Sequence, residues 1–233
     1  MFHPQGPTFL ELARQGLSST RRGYDLLAPK FDFTPFRTPD AVLEVVGERL
    51  AKLGPFASGL DLCCGTGAGL RILRPLCTER VVGLDFSEGM LAEARRNVDG
   101  VELVQADVLE LASESEFDLV TSFGAFGHIP RASERDFVAR IHRALRPGGV
   151  FAFVTAPMPP PWSLQWMFGR SYNAVAHLRN LLLRPPFVMF YLTLTLEAAQ
   201  RLLEDAGFEV EVQRGLFPEP YRHGVLVLAR KAG

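Results

Sequence analysis

The sequence of 233 residues predicts an α/β fold, in which a doubly wound, mostly parallel sheet of seven strands lies between two layers of helices. Strand-like runs alternate with helical patterns from residue 57 onward. The runs are apolar on both faces, which is typical of strands buried between helical layers. Strand, helix and strand at this spacing favour parallel pairing, and the whole chain is predicted to form one domain.

The first regular helix is predicted over residues 38–54, where Thr38 is expected to cap the N-terminus and Gly54 to end the helix. Residues 1–37 before it are interrupted by several prolines and glycines. The predicted core then alternates between strands at 57–62, 80–86, 101–107, 117–123 and 150–156 and helices at 67–76, 87–98 and 132–149.

The alternating pattern breaks after the fifth strand. Residues 157–194 form an insertion rich in Trp, Phe, Leu and Pro, which is too long for an ordinary crossover. A helix is predicted over 195–207, and it is followed by strands at 208–214 and 224–231. Because the last connection is too short for a crossover helix, the last strand is predicted to pair antiparallel.

Composition excludes several classes of protein. The net charge of −1 favours neither nucleic acid nor an anionic membrane as a partner. Cys63, Cys64 and Cys77 make no disulfide framework or metal-ligand spacing, so we expect small buried thiols, no metal and a reducing compartment. The N-terminus does not resemble a secretory signal, and the apolar run 187–196 is too short to span a membrane. We therefore expect a cytoplasmic protein without stable membrane insertion, either a monomer or a homodimer.

The chemically distinctive residues follow four successive predicted strands. In a doubly wound sheet, ligands bind at the carboxyl ends of the strands, where the strand order reverses. A single glycine loop would be weak support, but four strand ends with glycines or acids predict one ligand site. The residues concerned are Gly65, Gly67, Gly69, Asp85, Asp107 and the loop 124–128.

The two acids nearest the glycines suggest the kind of ligand. Asp85 lies eighteen residues after Gly67, where a carboxylate accepts hydrogen bonds from both hydroxyls of a ribose. Asp61 lies inside the first strand end, before the glycines, where it would repel a pyrophosphate and attract a cationic amino group. Asp85 as a simple helix-start acid and Asp107 as a turn cap remain the alternatives.

The motifs in this order resemble those of the class I S-adenosylmethionine-dependent methyltransferases, particularly the broad small-molecule group. Asp61 to Gly67, "DLCCGTG", is similar to the first motif of that family, with Cys63 where the first glycine usually stands. Further similar stretches are "YDLLAPKFD", "VVGLDFS", "VQADV", "FDLVTSFGAFGHI" and "ALRPGGVFAF". The resemblance implies a Rossmann-like fold, S-adenosyl-L-methionine as cofactor, and methyl transfer to O, N or C of a small acceptor.

The resemblance also implies a role for each part of the chain. Residues 1–37 would cover the cofactor and substrate, 38–156 would form the cofactor-binding core, 157–194 a substrate lid, and 195–233 the C-terminal helix and strand pair. Asp61 would face the methionine end, Asp85 the ribose, Phe86 and Asp107 the adenine, and Phe123 the methionine portion. The implied cofactor-binding set is Tyr24, Asp61, Cys63, Gly65, Thr66, Gly67, Asp85, Phe86, Met90, Asp107, Val108 and Phe123.

The acceptor side is predicted from His128 and the insertion. His128 is either a base that faces the substrate or a structural histidine. The aromatic residues Trp162, Trp166, Phe168 and Tyr172 are predicted to line an apolar acceptor pocket under a lid. Three alternatives remain: an extra packing layer, a membrane-surface contact by residues 181–192, and an acidic acceptor bound by Arg170, Arg179 and Arg184.

Two other classes of protein are possible. A nicotinamide-dependent oxidoreductase is disfavoured by Asp61 and by the lack of a Tyr-x-x-x-Lys motif. A methyltransferase-like protein that binds its ligand without turnover is compatible with every motif. A nucleic-acid methyltransferase is disfavoured because no basic stretch stands out and the fourth strand lacks an Asn/Asp-Pro-Pro-Tyr/Phe-like motif.

Overall fold

The computed structural model describes residues 3–233, and its centre is a seven-stranded sheet. The strands are β1 (Phe56–Leu62), β2 (Cys77–Asp85), β3 (Glu102–Gln105), β4 (Phe117–Ser122), β5 (Leu145–Thr155), β6 (Phe208–Gln213) and β7 (Val225–Lys231). Their order in the sheet is β3-β2-β1-β4-β5-β7-β6. Strands β1 to β5 are parallel, and β7 is antiparallel to both β5 and β6. The predicted doubly wound sheet with an antiparallel last strand is confirmed.

Eight α-helices within residues 3–233 surround the sheet. They are α1 (Phe9–Leu17), α2 (Thr20–Leu27), α3 (Asp40–Ala51), α4 (Ala68–Leu73), α5 (Glu88–Asn97), α6 (Glu134–Ala144), α7 (Leu164–Leu182) and α8 (Leu196–Asp205). The Ser87 side chain caps α5 as predicted, because its oxygen accepts from the Met90 N–H. The prediction that Thr38 caps α3 is wrong, since Pro39 holds the N-cap position without a side-chain hydrogen bond.

Apolar side chains are buried on both faces of the sheet, as the strand patterns predicted. One core cluster includes Phe137 of α6 and Phe151 of β5, and the other includes Leu50 of α3 and Leu70 of α4. The end of α6 differs from the prediction: the helix stops at Ala144 because residues 145–149 already enter β5, with a register shift against β4. Each strand is held in register by the side chains that it buries on both faces. The carboxyl ends of the strands, where the site lies, are therefore fixed relative to one another.

Small residues let the cysteines pack inside the core. A Cβ at Gly59 would lie 2.7 Å from the Cys77 sulfur, and a Cβ at Gly83 would lie 3.0 Å from the Cys64 sulfur. Cys64 and Cys77 are buried, and all three thiols are free. Within residues 3–233 no group of three His, Cys, Asp or Glu side chains is arranged to hold a metal ion.

The N-terminal helices and the insertion meet over the carboxyl edge of the sheet. Asp25 of α2 accepts from the Ser87 hydroxyl at 2.6 Å and from the Gly89 N–H at 3.0 Å, which ties α2 to the start of α5. After α7, residues 183–194 return without forming a helix or strand, and we call them the return segment. Its Val188 N–H donates to the Thr20 hydroxyl oxygen at 2.8 Å. Among the described helices, none combines the length and apolar character needed to cross a membrane.

Candidate active site

A cavity of about 390 Å³ lies at the carboxyl ends of β1, β2 and β4. This volume falls within the range of roughly 300–1,000 Å³ that is usual for small-molecule sites. The structure brings most of the predicted site residues together here, although their individual roles stay predictions. The predicted residues in its wall are Tyr24, Asp61, Cys63, Gly65, Thr66, Asp85, Phe86, Met90, Phe123 and His128.

The loop after β1 follows a path that requires small residues. Gly65 has φ +53° and Gly67 has φ +91°, in the left-handed region that glycine adopts without strain. Cys63 has φ +55°, which explains why glycine would suit this position. A Cβ on Gly65 would meet only the Phe31 ring, at 4.0 Å, so the backbone is open towards the cavity. The Thr66 hydroxyl anchors the loop to Asp32 at 2.6 Å.

Two buried carboxylates occupy one side of the cavity. Asp61 is 2% exposed and accepts from the Thr121 hydroxyl at 2.7 Å. Asp85 is 5% exposed and accepts from the N–H groups of Gly65 and Ser87, both at 2.9 Å. No basic side chain in residues 3–233 forms an ion pair with either of them. Buried acids without a cationic partner suit a ligand that brings its own positive charge.

The pKa values of these carboxyls agree with that interpretation. Burial raises the pKa of Asp61 to about 7, and the nearby Asp85 charge adds to the rise. Burial also raises the pKa of Asp85 to about 6, against the opposing hydrogen bonds from Ser87 and Gly65. Native carboxyls therefore hold protons that unfolded ones release. The contribution of these two carboxyls to the free energy of unfolding of the ligand-free protein thus falls as the pH rises from 3.8 through about 7.

A cationic ligand is expected to bind more tightly as the pH rises through this interval. If only the ionised Asp61 binds an ammonium group, affinity for S-adenosylmethionine should fall roughly tenfold between pH 7.5 and pH 6. Calorimetric titrations of the native protein and of Asp61→Asn would measure the two pH slopes. The variant should show weaker binding and a shallower slope, because only Asp85 still titrates. Equal pH slopes for the two proteins would show that Asp61 does not bind the ammonium group. Titration of the cofactor's own amino group affects both proteins alike, so it cannot cause a difference between the slopes.

A hydrogen-bonded pair of Tyr24 and His128 lies in another part of the wall. His128 Nδ1 is 2.7 Å from the Val188 carbonyl oxygen, and Nε2 is 2.8 Å from the Tyr24 hydroxyl. A carbonyl only accepts, so Nδ1 carries the proton and the neutral ring accepts from Tyr24 at Nε2. Burial lowers the pKa of His128, although the Val188 bond opposes this shift, and burial raises the pKa of Tyr24. The pair is therefore neutral at pH 7.

Aromatic rings crowd around Tyr24. Its ring centroid lies 6.4 Å from that of Phe86 and 6.2 Å from that of Phe31, both at edge-to-face angles. The three rings, with Met90, form a small apolar cluster between α2 and the start of α5. The cavity thus combines buried carboxylates with flat apolar surfaces, which suits a ligand with both a charged and an aromatic part.

Three predicted cofactor residues do not border this cavity: Gly67, Asp107 and Val108. Asp107 is exposed, and its carboxylate accepts from the Leu109 N–H at 2.9 Å, which is the capping contact foreseen as its alternative role. Its charge still contributes to the raised pKa of Cys63, so it lies near the site. The adenine role of Asp107 stays a prediction.

The structure does not bring Trp162, Trp166, Phe168 and Tyr172 into the cavity wall. Trp162 is 77% exposed and Phe168 is 60% exposed. Tyr172 packs behind the wall, with its ring centroid 4.9 Å from that of Tyr191. The part of the insertion that borders the cavity is instead the return segment. The Phe190 N–H donates to the Gly127 carbonyl at 2.8 Å, which holds this segment against the site. The lining residues from it are Met189, Phe190, Tyr191, Leu192 and Thr193.

Sequence reasoning also missed the wall between α2 and α3. Residues 35–38 line the cavity, and Arg37 is held there by Asp40 at 2.6 Å and by Asp32 at 3.3 Å. No motif marked these positions as part of the site. The signal that was available is their place directly after the "YDLLAPKFD" stretch, since a segment that covers a site contributes its flanks as well.

Comparisons with known proteins agree with the fold. Residues 60–149 match a family model described as "Methyltransferase domain". A probable S-adenosylmethionine-dependent methyltransferase of Mycolicibacterium smegmatis is 32% identical over 177 residues, covering 75% of this chain and 60% of that relative. A malonyl-[acyl-carrier protein] O-methyltransferase of Enterobacter lignolyticus is 46% identical over 102 residues, covering 43% of this chain and 39% of that relative. The chain thus spans less than two thirds of the length of these relatives.

Among solved structures, the complex of DhpI with SAH is similar over 97% of this chain and 99% of that one, with a TM-score of 0.68 and 22% sequence identity. The likeness therefore extends beyond the sheet to most of the chain. Residues 60–149 form a methyltransferase domain, and the relatives together with the fold indicate a class I S-adenosylmethionine-dependent methyltransferase.

Proposed function

We propose that this protein transfers a methyl group from S-adenosylmethionine to a small-molecule acceptor with a largely apolar body. The observation that carries the proposal is the pair of buried carboxylates, Asp61 and Asp85, which have no basic partner in the described chain and border an aromatic-walled cavity. A cofactor with an ammonium group and a ribose satisfies both carboxylates. A dinucleotide would set a pyrophosphate near Asp61 and be repelled.

The residues that would hold the cofactor follow from this arrangement. Asp61 would bind the ammonium group and Asp85 the ribose hydroxyls. The open backbone at Gly65 would let the ligand approach closely, because no side chain intervenes. Phe86 would lie against the adenine, and Phe123 would lie beside the methionine portion. When bound, the cofactor supplies a methyl group already activated by a sulfonium, so the protein has to align the acceptor and exclude water.

The Tyr24–His128 pair is the proposed route for the acceptor's proton. The Tyr24 oxygen would take a proton from an O–H, N–H or acidic C–H of the acceptor, and the Tyr24 proton would pass to His128 Nε2. The imidazolium formed would keep its Nδ1–H bond to the Val188 carbonyl. The sequence analysis considered His128 as a base that faces the substrate directly. Its free nitrogen instead accepts from the Tyr24 hydroxyl, so His128 would act on the acceptor through Tyr24.

The acceptor class is proposed from the rest of the wall. Phe126, Met189, Phe190 and Leu192 are apolar, which favours an acceptor with a flat or aliphatic body. A small apolar acceptor also agrees with a relative named as a demethylmenaquinone methyltransferase, from Staphylococcus carnosus, which is 34% identical over 112 residues. The absence of a dominant basic field disfavours nucleic acid, given a net charge of −1. The cytoplasmic location and the state as a monomer or homodimer stay predictions.

Binding titrations test the cofactor first. S-adenosylmethionine and S-adenosylhomocysteine should bind to the native protein, whereas NADH should not bind measurably under the same conditions. Tighter binding of NADH would support an oxidoreductase instead. A labelled-methyl transfer assay over a panel of hydroxylated, aminated and carbon-acid small molecules then tests turnover. Cofactor binding without transfer to any member of a broad panel would favour a protein that binds without catalysis.

A further inference from the structure

Helix α7 turns an apolar face away from the protein. At about 100° per residue, seven large apolar side chains fall within an arc of roughly 140° on one side of the helix. Each of them is at least 47% exposed. This is the reverse of an ordinary surface helix, whose apolar stripe faces the core. The seven are Leu164, Met167, Phe168, Val175, Leu178, Leu181 and Leu182, and we call them the α7 outer face.

The opposite side of α7 is anchored to the chain that follows the helix, so the helix cannot turn its outer face inward. Asn173 bonds the backbone N–H and carbonyl of Tyr191, both at 2.8 Å. Asn180 bonds the N–H and carbonyl of Phe187 at 2.9 and 3.0 Å. Gly169 is buried against Leu192, where a Cβ would lie 2.9 Å from the Leu192 Cγ. These contacts fix the rotation of α7 about its axis.

Charges around the outer face are positive. Residues 157–194 contain no Asp or Glu. Arg170 and Arg184 are exposed, and neither forms an ion pair with an acid among residues 3–233. Arg179 donates to the carbonyls of Gly16 and Ser18 at 3.0 and 2.9 Å, which brings the end of α1 alongside. Leu17, between those two residues, is also exposed and extends the apolar surface.

We propose that the α7 outer face rests on the surface of an anionic lipid bilayer. A helix in the plane of a membrane interface buries an apolar face with Trp, Phe and Leu, while Arg at its borders meets lipid phosphates. The α7 outer face has this composition, with Trp162 exposed at its N-terminal end. A second copy of the chain fits less well. A two-fold interface would set the face against itself, and residues 157–194 of a second copy contain no acid that could pair with Arg170 or Arg184.

Vesicle flotation tests the proposal with full-length protein. Vesicles of phosphatidylcholine alone are compared with vesicles of phosphatidylcholine and phosphatidylglycerol. The native protein should float with the anionic vesicles and much less with the neutral ones. Leu178→Gln with Leu182→Gln should lower the bound-to-free ratio about tenfold or more, since two leucines no longer bury apolar area. Leu53→Gln with Val104→Gln is the matched control at exposed positions elsewhere, and it should bind like the native protein.

Two more measurements separate the contributions. Arg170→Gln with Arg184→Gln should weaken binding to anionic vesicles several-fold for each charge removed. Binding of this variant to neutral vesicles should equal that of the native protein. Trp162 and Trp166 are the only two tryptophans of the chain, so their emission reports on this region in the unmodified protein. It should shift to shorter wavelength when anionic vesicles are added.

Two results would overturn the proposal. In the first, the native protein does not bind anionic vesicles and its tryptophan emission does not shift. In the second, the control variant loses as much binding as Leu178→Gln with Leu182→Gln. A dimer in sedimentation that Leu178→Gln with Leu182→Gln converts to monomer, without vesicle binding, would assign the face to self-association. Unchanged S-adenosylmethionine affinity in the variants verifies that they are folded.

Discussion

His128→Ala is expected to lower turnover by roughly 10²–10⁴-fold while the affinity for S-adenosylmethionine stays within a few-fold. The reason is that His128 Nε2 accepts the hydrogen bond of Tyr24 at 2.8 Å, so removing the imidazole leaves the Tyr24 proton without a destination. Single-turnover kinetics with a known acceptor would measure the chemical step, and calorimetry would measure cofactor affinity. Tyr24→Phe should cause a comparable loss of turnover, because it removes the hydroxyl that is proposed to meet the acceptor.

The control for this prediction is His223→Ala, an exposed histidine outside the cavity wall, which should turn over like the native protein. Burial lowers the pKa of His128, so the rate should fall only at a pH below the ordinary histidine range. A well-folded His128→Ala protein with turnover within a few-fold of native would leave His128 a structural role. In that case the loss of its Val188 bond should appear in thermal stability instead.

Asp85→Ala is expected to weaken the binding of S-adenosylmethionine by about 1.5–3 kcal/mol, which corresponds to roughly 10–150-fold. The variant loses the proposed bonds to the ribose, and it also releases the Gly65 N–H that Asp85 holds at 2.9 Å. The fold should survive, because the residue removed is a buried carboxyl whose ionised form has no basic partner in the described chain.

Two variants make this second prediction specific. Asp85→Asn keeps an oxygen that accepts from one N–H, so its affinity should lie between those of native protein and Asp85→Ala. Glu88→Ala removes an exposed acid three residues on, whose partner is Arg95 at 3.0 Å, and should leave affinity unchanged. Calorimetry at pH 8 keeps both carboxyls of the native site ionised. Affinity equal to native in Asp85→Ala would exclude the ribose role.

The sheet and its functional edge were predictable because burial on both faces leaves a continuous apolar pattern. Strand ends follow directly from where that pattern stops, so Asp61 and Asp85 were placed correctly at the carboxyl ends of β1 and β2. The loop after β1 was predictable for a different reason, since alternate glycines favour a tight turn with the left-handed backbone that other residues rarely adopt. Local sequence therefore carried the part of the site that local structure builds.

The acceptor side depends on packing over long separations, which sequence patterns do not encode. Tyr24 and His128 are 104 residues apart, and nothing in either stretch indicates their contact. The aromatic residues at the start of α7 were assigned to the site because large apolar groups are usually buried. In α7 the inward positions are held by Asn173 and Asn180 through hydrogen bonds to backbone groups, so Phe168 faces outward. Trp162 lies just before the helix and is exposed as well.

Residues 187–193 of the return segment connect elements of the site that do not contact one another through the sheet. They bond α2 through Thr20, the ring of His128 through the Val188 carbonyl, and the loop after β4 through Gly127. Under the proposed function, cofactor and acceptor both lie against walls that this one segment orders. A shift of this segment on binding of one ligand would therefore reach the wall that the other ligand contacts. Their affinities are then linked by the same factor in both directions, so acceptor saturation at low cofactor concentration differs from saturation at high cofactor concentration.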